Sequence, residues 1–192
     1  MQKFYHNENA KITALLTQLN GVMNKFNSRD YDTDVVLLHC LEESINTYKS
    51  LGRIQRESQL QSLRAEFITA QRGTNPITLE KQNIRRHEMT NAIAFKVMQS
   101  TEQQLRQDFI ENENMLKQAG DLIVQIIIAA IQGGLLTDVD ILNIKESKDI
   151  ENAWNKIGAD PNIALGQKRV LLLVSKYDAL ILFDDLLSAI KT

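Results

Sequence analysis

The sequence predicts an all-α protein: a helical bundle with a long antiparallel coiled-coil hairpin, at about residues 34–119, that projects from a body of shorter helices. Two observations favour this class. Apolar residues recur at intervals of three and four along most of the chain, which is the period of an amphipathic helix. The 192 residues include only 8 glycines and 2 prolines, too few for a loop-rich β fold or a disordered chain. We expect one helical domain over residues 1–192.

The first predicted helix extends from about Glu8 to Phe26 and has a single apolar stripe. The segment NSRDYDTD then interrupts the pattern. Its short polar side chains favour a turn, and Thr33 or Asp34 is predicted to cap the next helix. The residues that form the stripe of the first helix are Ile12, Leu15, Leu16, Leu19, Val22, Met23 and Phe26.

Two long helices are predicted to form the hairpin. The first extends from Val35 to about Arg72, since Gly52 is its one internal glycine and it contains no proline. A turn at Gly73 to Asn75 follows, and the second helix is predicted from Pro76 to about Ala119. Each would be roughly 60 Å long at a rise of about 1.5 Å per residue. An antiparallel pairing about this turn places Leu60 beside Met89 and Tyr48 beside Thr101.

Shorter helices are predicted after this hairpin. The apolar run from Gly120 to Gly134 is the fourth helix, and Thr137 with Asp140 resembles a capping box for a short fifth one. A helix that ends at Gly158 follows. The last helix is predicted to begin at Asp160, as N-cap, and to continue to the C-terminus; Pro161 fits its first position. With residues 1–33, the segment 120–192 is expected to form the helical body.

Residues 53–96, which we call the arm, carry the candidate binding surface. The arm contains six of the nine arginines, and the window 53–90 has a net charge of +3, against −5 for the rest of the chain. Arginine suits bidentate contacts with carboxylates and phosphates. The alternative is that these side chains are solvated and form ion pairs between residues i and i+4. The predicted partner-binding residues are Arg53, Arg56, Arg64, Arg72, Arg85 and Arg86.

The sequence contains no set of residues that predicts catalysis. The spacing of His39 and Glu43 is that of a metal-ligating pair, but two ligands do not make a site. Cys40 is expected to be a small core residue. No glycine-rich phosphate loop is present. We therefore expect neither an enzyme, nor a metal, nor a cofactor, nor a small-molecule substrate.

The apolar segment 120–136 favours a buried helix over a membrane span. The fifteen uncharged residues from Leu122 to Leu136 cover about 22 Å as a helix, whereas the hydrocarbon layer of a bilayer is about 30 Å thick. Small residues four apart, such as Ala129 and Gly133, would let a neighbouring helix approach closely. Long hairpins with a packed apolar segment also occur in helical pore formers and translocators, so membrane activity is the alternative function.

The leading hypothesis is a non-catalytic interaction or assembly protein, such as an adaptor, structural subunit or effector, that uses the arm to bind a protein partner or a second copy of itself. Asn91 and Asn112 occupy heptad-like positions and would fix register or oligomeric state if buried. The formal charge of −2 gives no specific signal for nucleic acid. We expect a cytoplasmic protein, because the N-terminus lacks a signal-peptide pattern, although export by a dedicated secretion system stays open.

Overall fold

A computed structural model describes residues 3–81 and 86–190. The predicted all-α fold, a helical bundle with a long antiparallel hairpin within residues 34–119, is confirmed. Over the described residues the only β pairing is an isolated bridge between Thr74 and Lys81. The helices are α1 Tyr5–Asn27, α2 Thr33–Ser50, α3 Ile54–Gln71, α4 Arg86–Gln132, α5 Asp138–Asn143, α6 Ser147–Ile157, α7 Pro161–Leu173 and α8 Lys176–Ile190.

The chain divides into two compact units. Unit 1 comprises Met1–Asn9 and Ile110–Thr192, and unit 2 comprises Ala10–Phe109. The arm, residues 53–96, lies wholly within unit 2. Each unit has its own cluster of buried apolar side chains. The expectation of a single domain stays a prediction.

Unit 2 is built on antiparallel helix pairs. Gln71, at the end of α3, donates a 3.2 Å hydrogen bond to Asp34 at the start of α2. Lys96 of α4 lies 2.7 Å from Glu66 of α3, so α3 and α4 form the hairpin pair. The predicted register placed Glu66 near residue 83, and it is therefore wrong by several helical turns. The largest fully buried side chains of the unit 2 core are Ile12, Leu19, Leu37, Leu41, Tyr48, Leu60, Phe67, Met98 and Leu105.

The single helix predicted from Val35 to Arg72 is wrong, because the chain turns back at Gly52. Gly52 has a φ of 68°, a left-handed conformation that glycine adopts without steric cost. The N–H groups of Leu51 and Arg53 satisfy the last carbonyls of α2, at Thr47 and Tyr48. The turn covers the apolar face of α3 with α2, so α3 packs against two helices and not against one.

The prediction of a helix starting at Pro76 is also wrong. Residues 75–79 form turns, and residues 82–85 lie outside the described part of the chain. From Arg86 a single helix of 47 residues extends to Gln132, so the predicted third and fourth helices are one. Gly120 does not interrupt it. Apolar residues continue at helical spacing on both sides of that glycine, and their burial outweighs its low helix propensity.

Unit 1 packs the C-terminal half of α4 against the C-terminal helices. Its core includes Ile123 and Ile127 of α4 together with Trp154 and Phe183, whose rings meet edge to face with centroids 5.2 Å apart. The predicted capping box at Thr137 is confirmed. So is the cap formed by Asp160, whose carboxylate accepts hydrogen bonds from two N–H groups in the first turn of α7.

The last predicted helix is divided between Leu173 and Lys176, which corrects its bounds. Ser175 accepts a 3.1 Å hydrogen bond from the N–H of Asp178 and donates a 2.8 Å hydrogen bond to the carboxylate of the same residue. The bond from the N–H of Asp178 to Ser175 is that of an N-cap serine, and it begins α8 even though the apolar pattern continues across the break.

One face of the apolar segment lies in the core of unit 1, whereas Val124, Ile128 and Ile131 are exposed, so the segment is less buried than predicted. Its close packing also differs from the prediction. Gly133 and Gly134 lie beyond the end of α4 and are exposed. The close approach occurs instead at Gly166 of α7. A Cβ placed there would lie 3.0 Å from Cγ1 of Ile126.

Candidate interaction surface at the tip loop of unit 2

The connection between α3 and α4 contains an ordered loop, residues 72–81, which we call the tip loop. Its ends are joined by the bridge between Thr74 and Lys81. Asn75 organises the turn within it. The side-chain oxygen of Asn75 accepts hydrogen bonds from the N–H groups of Ile77 (2.9 Å) and Thr78 (3.3 Å), and its carbonyl accepts one from Leu79 (2.9 Å). These hydrogen bonds to Asn75 therefore hold the backbone N–H groups of Ile77, Thr78 and Leu79 in place.

Two large apolar side chains are held in solvent at this tip. Ile77 and Leu79 are each 75% exposed. Leu79 has a φ of 60°, a left-handed conformation that costs a residue with a Cβ about 1–2 kcal/mol. Strained residues of this kind persist where the surrounding structure determines them, and they are concentrated at functional sites. The tip loop thus combines an ordered backbone, strain and unburied apolar surface.

A polar cleft lies at the same end of unit 2. It has a volume of about 590 Å³, and Gln71, the residue that precedes the tip loop, reaches its wall by the hydrogen bond to Asp34. Tyr31, on the rim, is 99% exposed. The cleft is lined by Phe26, Arg29, Tyr31, Asp34, His87 and Asn91.

Exposed cations flank the apolar tip. Arg72, Lys81 and Arg86 are all exposed, and the guanidinium of Arg86 donates a hydrogen bond to the carbonyl of Gln71. This bond holds Arg86 beside the base of the tip loop. Guanidinium groups next to apolar side chains suit a partner surface on which carboxylates border an apolar pocket.

Two acidic side chains near the cleft share one lysine within unit 2. Lys25 donates to Asp32 at 2.8 Å and to Asp30 at 3.2 Å. These hydrogen bonds raise the pKa of Lys25 and lower that of Asp30. Two of the carboxylates nearest the cleft are therefore already paired with a cation.

Among the arginines predicted to bind a partner, the five that the structure describes do not form one surface. Arg53 and Arg56 lie at the N-terminal end of α3, about 27 Å along the helix from Arg72. Arg56 is part of an internal ion pair with Asp108, and its guanidinium is therefore committed within unit 2. Arg64, in the middle of α3, is half-buried.

Two of the predicted residues, Arg72 and Arg86, lie at the tip, and Arg85 lies outside the described residues. Sequence reasoning missed Ile77 and Leu79, because Asn75 and Pro76 suit the start of a helix as well as they suit a turn. The one signal of a loop was the pair of turn-forming residues, Asn75 and Pro76, that follows Gly73 and Thr74.

Comparison with models of known protein families, with curated proteins and with solved structures gave no match for this chain.

His39 and Glu43, the candidate metal-ligating pair, and Cys40, the one thiol, are all among the described residues. His39 and Glu43 are 3.9 Å apart and exposed, and within residues 3–81 and 86–190 no group of three side chains could hold a metal ion. Cys40 is fully buried in the core, as predicted. Burial raises the pKa of its thiol to about 11, so it is protonated and a poor nucleophile at neutral pH.

Proposed function

We propose that this chain is a non-catalytic interaction or assembly protein that binds a protein partner through the tip loop. One observation carries the proposal: Ile77 and Leu79, both 75% exposed, are fixed in solvent by a hydrogen-bonded loop in which Leu79 is left-handed. Single exposed apolar residues are ordinary on protein surfaces. Two on one ordered and strained turn favour a site that a partner covers.

The loop has properties that favour binding. An ordered loop loses less conformational entropy on association than a flexible one, so more of the contact energy contributes to affinity. Ile77 and Leu79 would enter an apolar pocket, while Arg72 and Arg86 would bind carboxylates at its border. The partner is therefore a protein surface with an apolar pocket bordered by acidic side chains.

A variant of Leu79 separates binding from folding. Leu79→Gly removes the apolar side chain and, because glycine tolerates a φ of 60°, also removes the strain. We expect this variant to be no less stable than the parent in urea unfolding, yet to lose its partner. Cross-linking is done in the cells that produce the protein, with a photo-reactive amino acid in place of Thr78. This residue should form one discrete protein adduct, and Leu79→Gly should abolish that adduct.

The matched control is a photo-reactive amino acid at Ile54. Ile54 is 77% exposed but lies at the other end of α3, and no adduct of the same mass should form there. Arg86→Glu should reduce the adduct at Thr78 without changing circular dichroism. Equal adducts at Thr78 and Ile54, or an adduct at Thr78 that survives Leu79→Gly, would contradict the proposal.

Membrane activity is the second candidate, and one property of α4 favours it. Because α4 is continuous through Gly120, it offers a window of 18 residues with a mean hydropathy of 1.3, long and apolar enough to cross a bilayer, and only 33% of that window is buried. The core helices of soluble proteins pass the same test. Flotation with vesicles of anionic lipid and dye release, at acidic and neutral pH, test this candidate. A protein that stays at the bottom of the gradient and releases no dye refutes it.

A further inference from the structure

The outward face of α4 in unit 1 carries a stripe of residues with heptad spacing. Successive intervals of four and three residues separate its members, all of which are exposed. They lie opposite the buried face of the same helix, which Leu116, Ala119, Ile123 and Ile126 form. We call this set the α4 stripe: Ile110, Asn114, Lys117, Asp121, Val124 and Ile128.

The ends of the α4 stripe are apolar and its centre is charged. Ile110 is 57% exposed, and Ile128 is 49% exposed. Lys117 and Asp121 lie between them. A surface helix of an isolated unit normally has polar residues along its outward face. Isoleucines at both ends, at heptad positions, indicate that a second helix packs there.

The order of charged and apolar residues along the α4 stripe matches a second, antiparallel copy of the same stripe. When a second copy of the α4 stripe is laid antiparallel to the first, with the two-fold axis at the level of Ala119, Lys117 faces Asp121 of the other copy. The same register places Ile110 opposite Ile128. Because the axis is two-fold, each of these contacts occurs twice.

Other arrangements of two copies do not give this match. In a parallel pair, Lys117 would face Lys117 and Asp121 would face Asp121, and like charges opposed on a seam are destabilising. An antiparallel shift that pairs Val124 with Ile128 would place Asp121 against the apolar Ile131. The register centred at Ala119 pairs Lys117 with Asp121 and Ile110 with Ile128, and it places Asn114 opposite Val124.

We propose that the α4 stripe is the interface of an antiparallel homodimer of this chain. The interface would be about 27 Å long, the length of 18 residues of helix, with isoleucine contacts at both ends and two ion pairs between chains at the centre. It is independent of the tip loop, which belongs to unit 2.

A charge swap tests both the dimer and its register. Lys117→Asp opposes two aspartates at each central position, and Asp121→Lys opposes two lysines, so either variant should shift the molar mass measured by light scattering from dimer towards monomer. The double variant, with both changes, restores opposite charges across the axis and should recover the dimer. Both positions are exposed, so these variants should fold, and circular dichroism checks this.

A zero-length cross-link gives a second measurement. A carbodiimide should join the amine of Lys117 to the carboxylate of Asp121. In a mixture of ¹⁵N-labelled and unlabelled protein, mass spectrometry should find this link between peptides of different label. Links within one label alone would mean that the pair forms inside one helix and would overturn the interface.

The control variant is Ile54→Glu, at an exposed apolar position in unit 2. It should leave the molar mass unchanged, whereas Ile128→Glu should lower it. A monomer at all protein concentrations overturns the proposal. So does a dimer whose molar mass is unchanged by Lys117→Asp and by Asp121→Lys. A monomer that floats with anionic vesicles and loses flotation in Ile128→Glu would assign the α4 stripe to a membrane and overturn the dimer as well.

Discussion

Arg56 and Asp108 form an ion pair in the interior of unit 2, with Nη2 of Arg56 2.7 Å from Oδ1 of Asp108. Nε of Arg56 donates to the same carboxylate at 3.0 Å, and the hydroxyl of Tyr48 donates to its Oδ2 at 2.7 Å. Asp108 is only 4% exposed. One carboxylate thus joins α2, α3 and α4, on both sides of the turn at Gly52.

Removal of this carboxylate should be among the most destabilising single changes in unit 2. Asp108→Ala leaves the guanidinium of Arg56 and the hydroxyl of Tyr48 without their buried acceptor. Breaking a buried pair in this way costs about 3–5 kcal/mol. We expect a loss of that size in the free energy of unfolding, measured by urea denaturation followed by circular dichroism.

The matched control is an exposed ion pair on the same helix. Glu102 and Arg106 lie 2.7 Å apart, and the side chain of Arg106 is 60% exposed. Glu102→Ala should cost no more than about 0.5 kcal/mol, as is usual for exposed pairs four residues apart. Equal losses for Asp108→Ala and Glu102→Ala would mean that burial adds nothing to the Arg56 pair.

The Arg56 pair also illustrates which features the sequence could predict. Helix class, apolar stripes and the caps at Thr137 and Asp160 depend on residues within one or two turns of one another, so local patterns predicted them. The partner of Arg56 is 52 residues away. No spacing rule connects two such residues, and for that reason the sequence did not predict the ion pair between Arg56 and Asp108.

The pH dependence of unit 1 should reflect Asp178. Burial raises the pKa of this carboxylate. Hydrogen bonds from the N–H and ring of His6, the hydroxyl of Ser175 and the N–H of Tyr5 outweigh that effect, and its pKa lies below the usual 3.8. A lowered carboxylate pKa stabilises the folded state above the unfolded pKa, and the stabilisation is lost as the pH falls through the folded one.

Asp178→Asn should therefore be destabilising at neutral pH and much less so in acid. The free energies of unfolding of parent and variant, measured from pH 7 down to about pH 2, should approach each other as the pH falls below the ordinary range of aspartate and towards the lowered pKa of the folded state. The control is Asp185→Asn, an exposed change on the same helix, which should have little effect throughout. A difference for Asp178→Asn that stays constant with pH would contradict the role of its charge.

Two glycines in unit 2 should respond to alanine with opposite signs. Gly52 has a φ of 68°, whereas Gly21 lies inside α1, and a Cβ there would meet nothing within 4 Å. Gly52→Ala should cost about 1–2 kcal/mol because alanine is strained in the left-handed region. Gly21→Ala should stabilise by about 0.5–1 kcal/mol because it lowers the entropy lost on folding. Urea denaturation measures both, and effects of the same sign would contradict the turn at Gly52.

Gly52 and Gly120 show the limit of sequence reasoning at helix breaks. Each glycine is followed by further residues at helical spacing, and the chain turns at Gly52 but continues as helix at Gly120. The two glycines differ in the tertiary contacts that the following residues make. Past Gly52, the turn places Arg56 on Asp108, whereas past Gly120 a straight continuation buries Ile123 and Ile127 in the unit 1 core. The exposed position of Leu79 likewise differs from the local pattern, which predicted a helix starting at Pro76 where the chain forms a turn.

Close packing of α4 against α7 gives the last prediction. A Cβ on Gly166 would lie 3.0 Å from Cγ1 and 3.2 Å from Cδ1 of Ile126, which is only 5% exposed and has little room to move. Gly166→Ala should therefore destabilise the protein by about 1–3 kcal/mol through overpacking.

Ile126→Val removes Cδ1, so the double variant should lose less stability in urea denaturation than the two single losses together. Gly120→Ala, where a Cβ meets nothing within 4 Å, is the control and should stabilise α4 by about 0.5–1 kcal/mol. Strict additivity of Gly166→Ala and Ile126→Val would show that the two side chains do not compete for space.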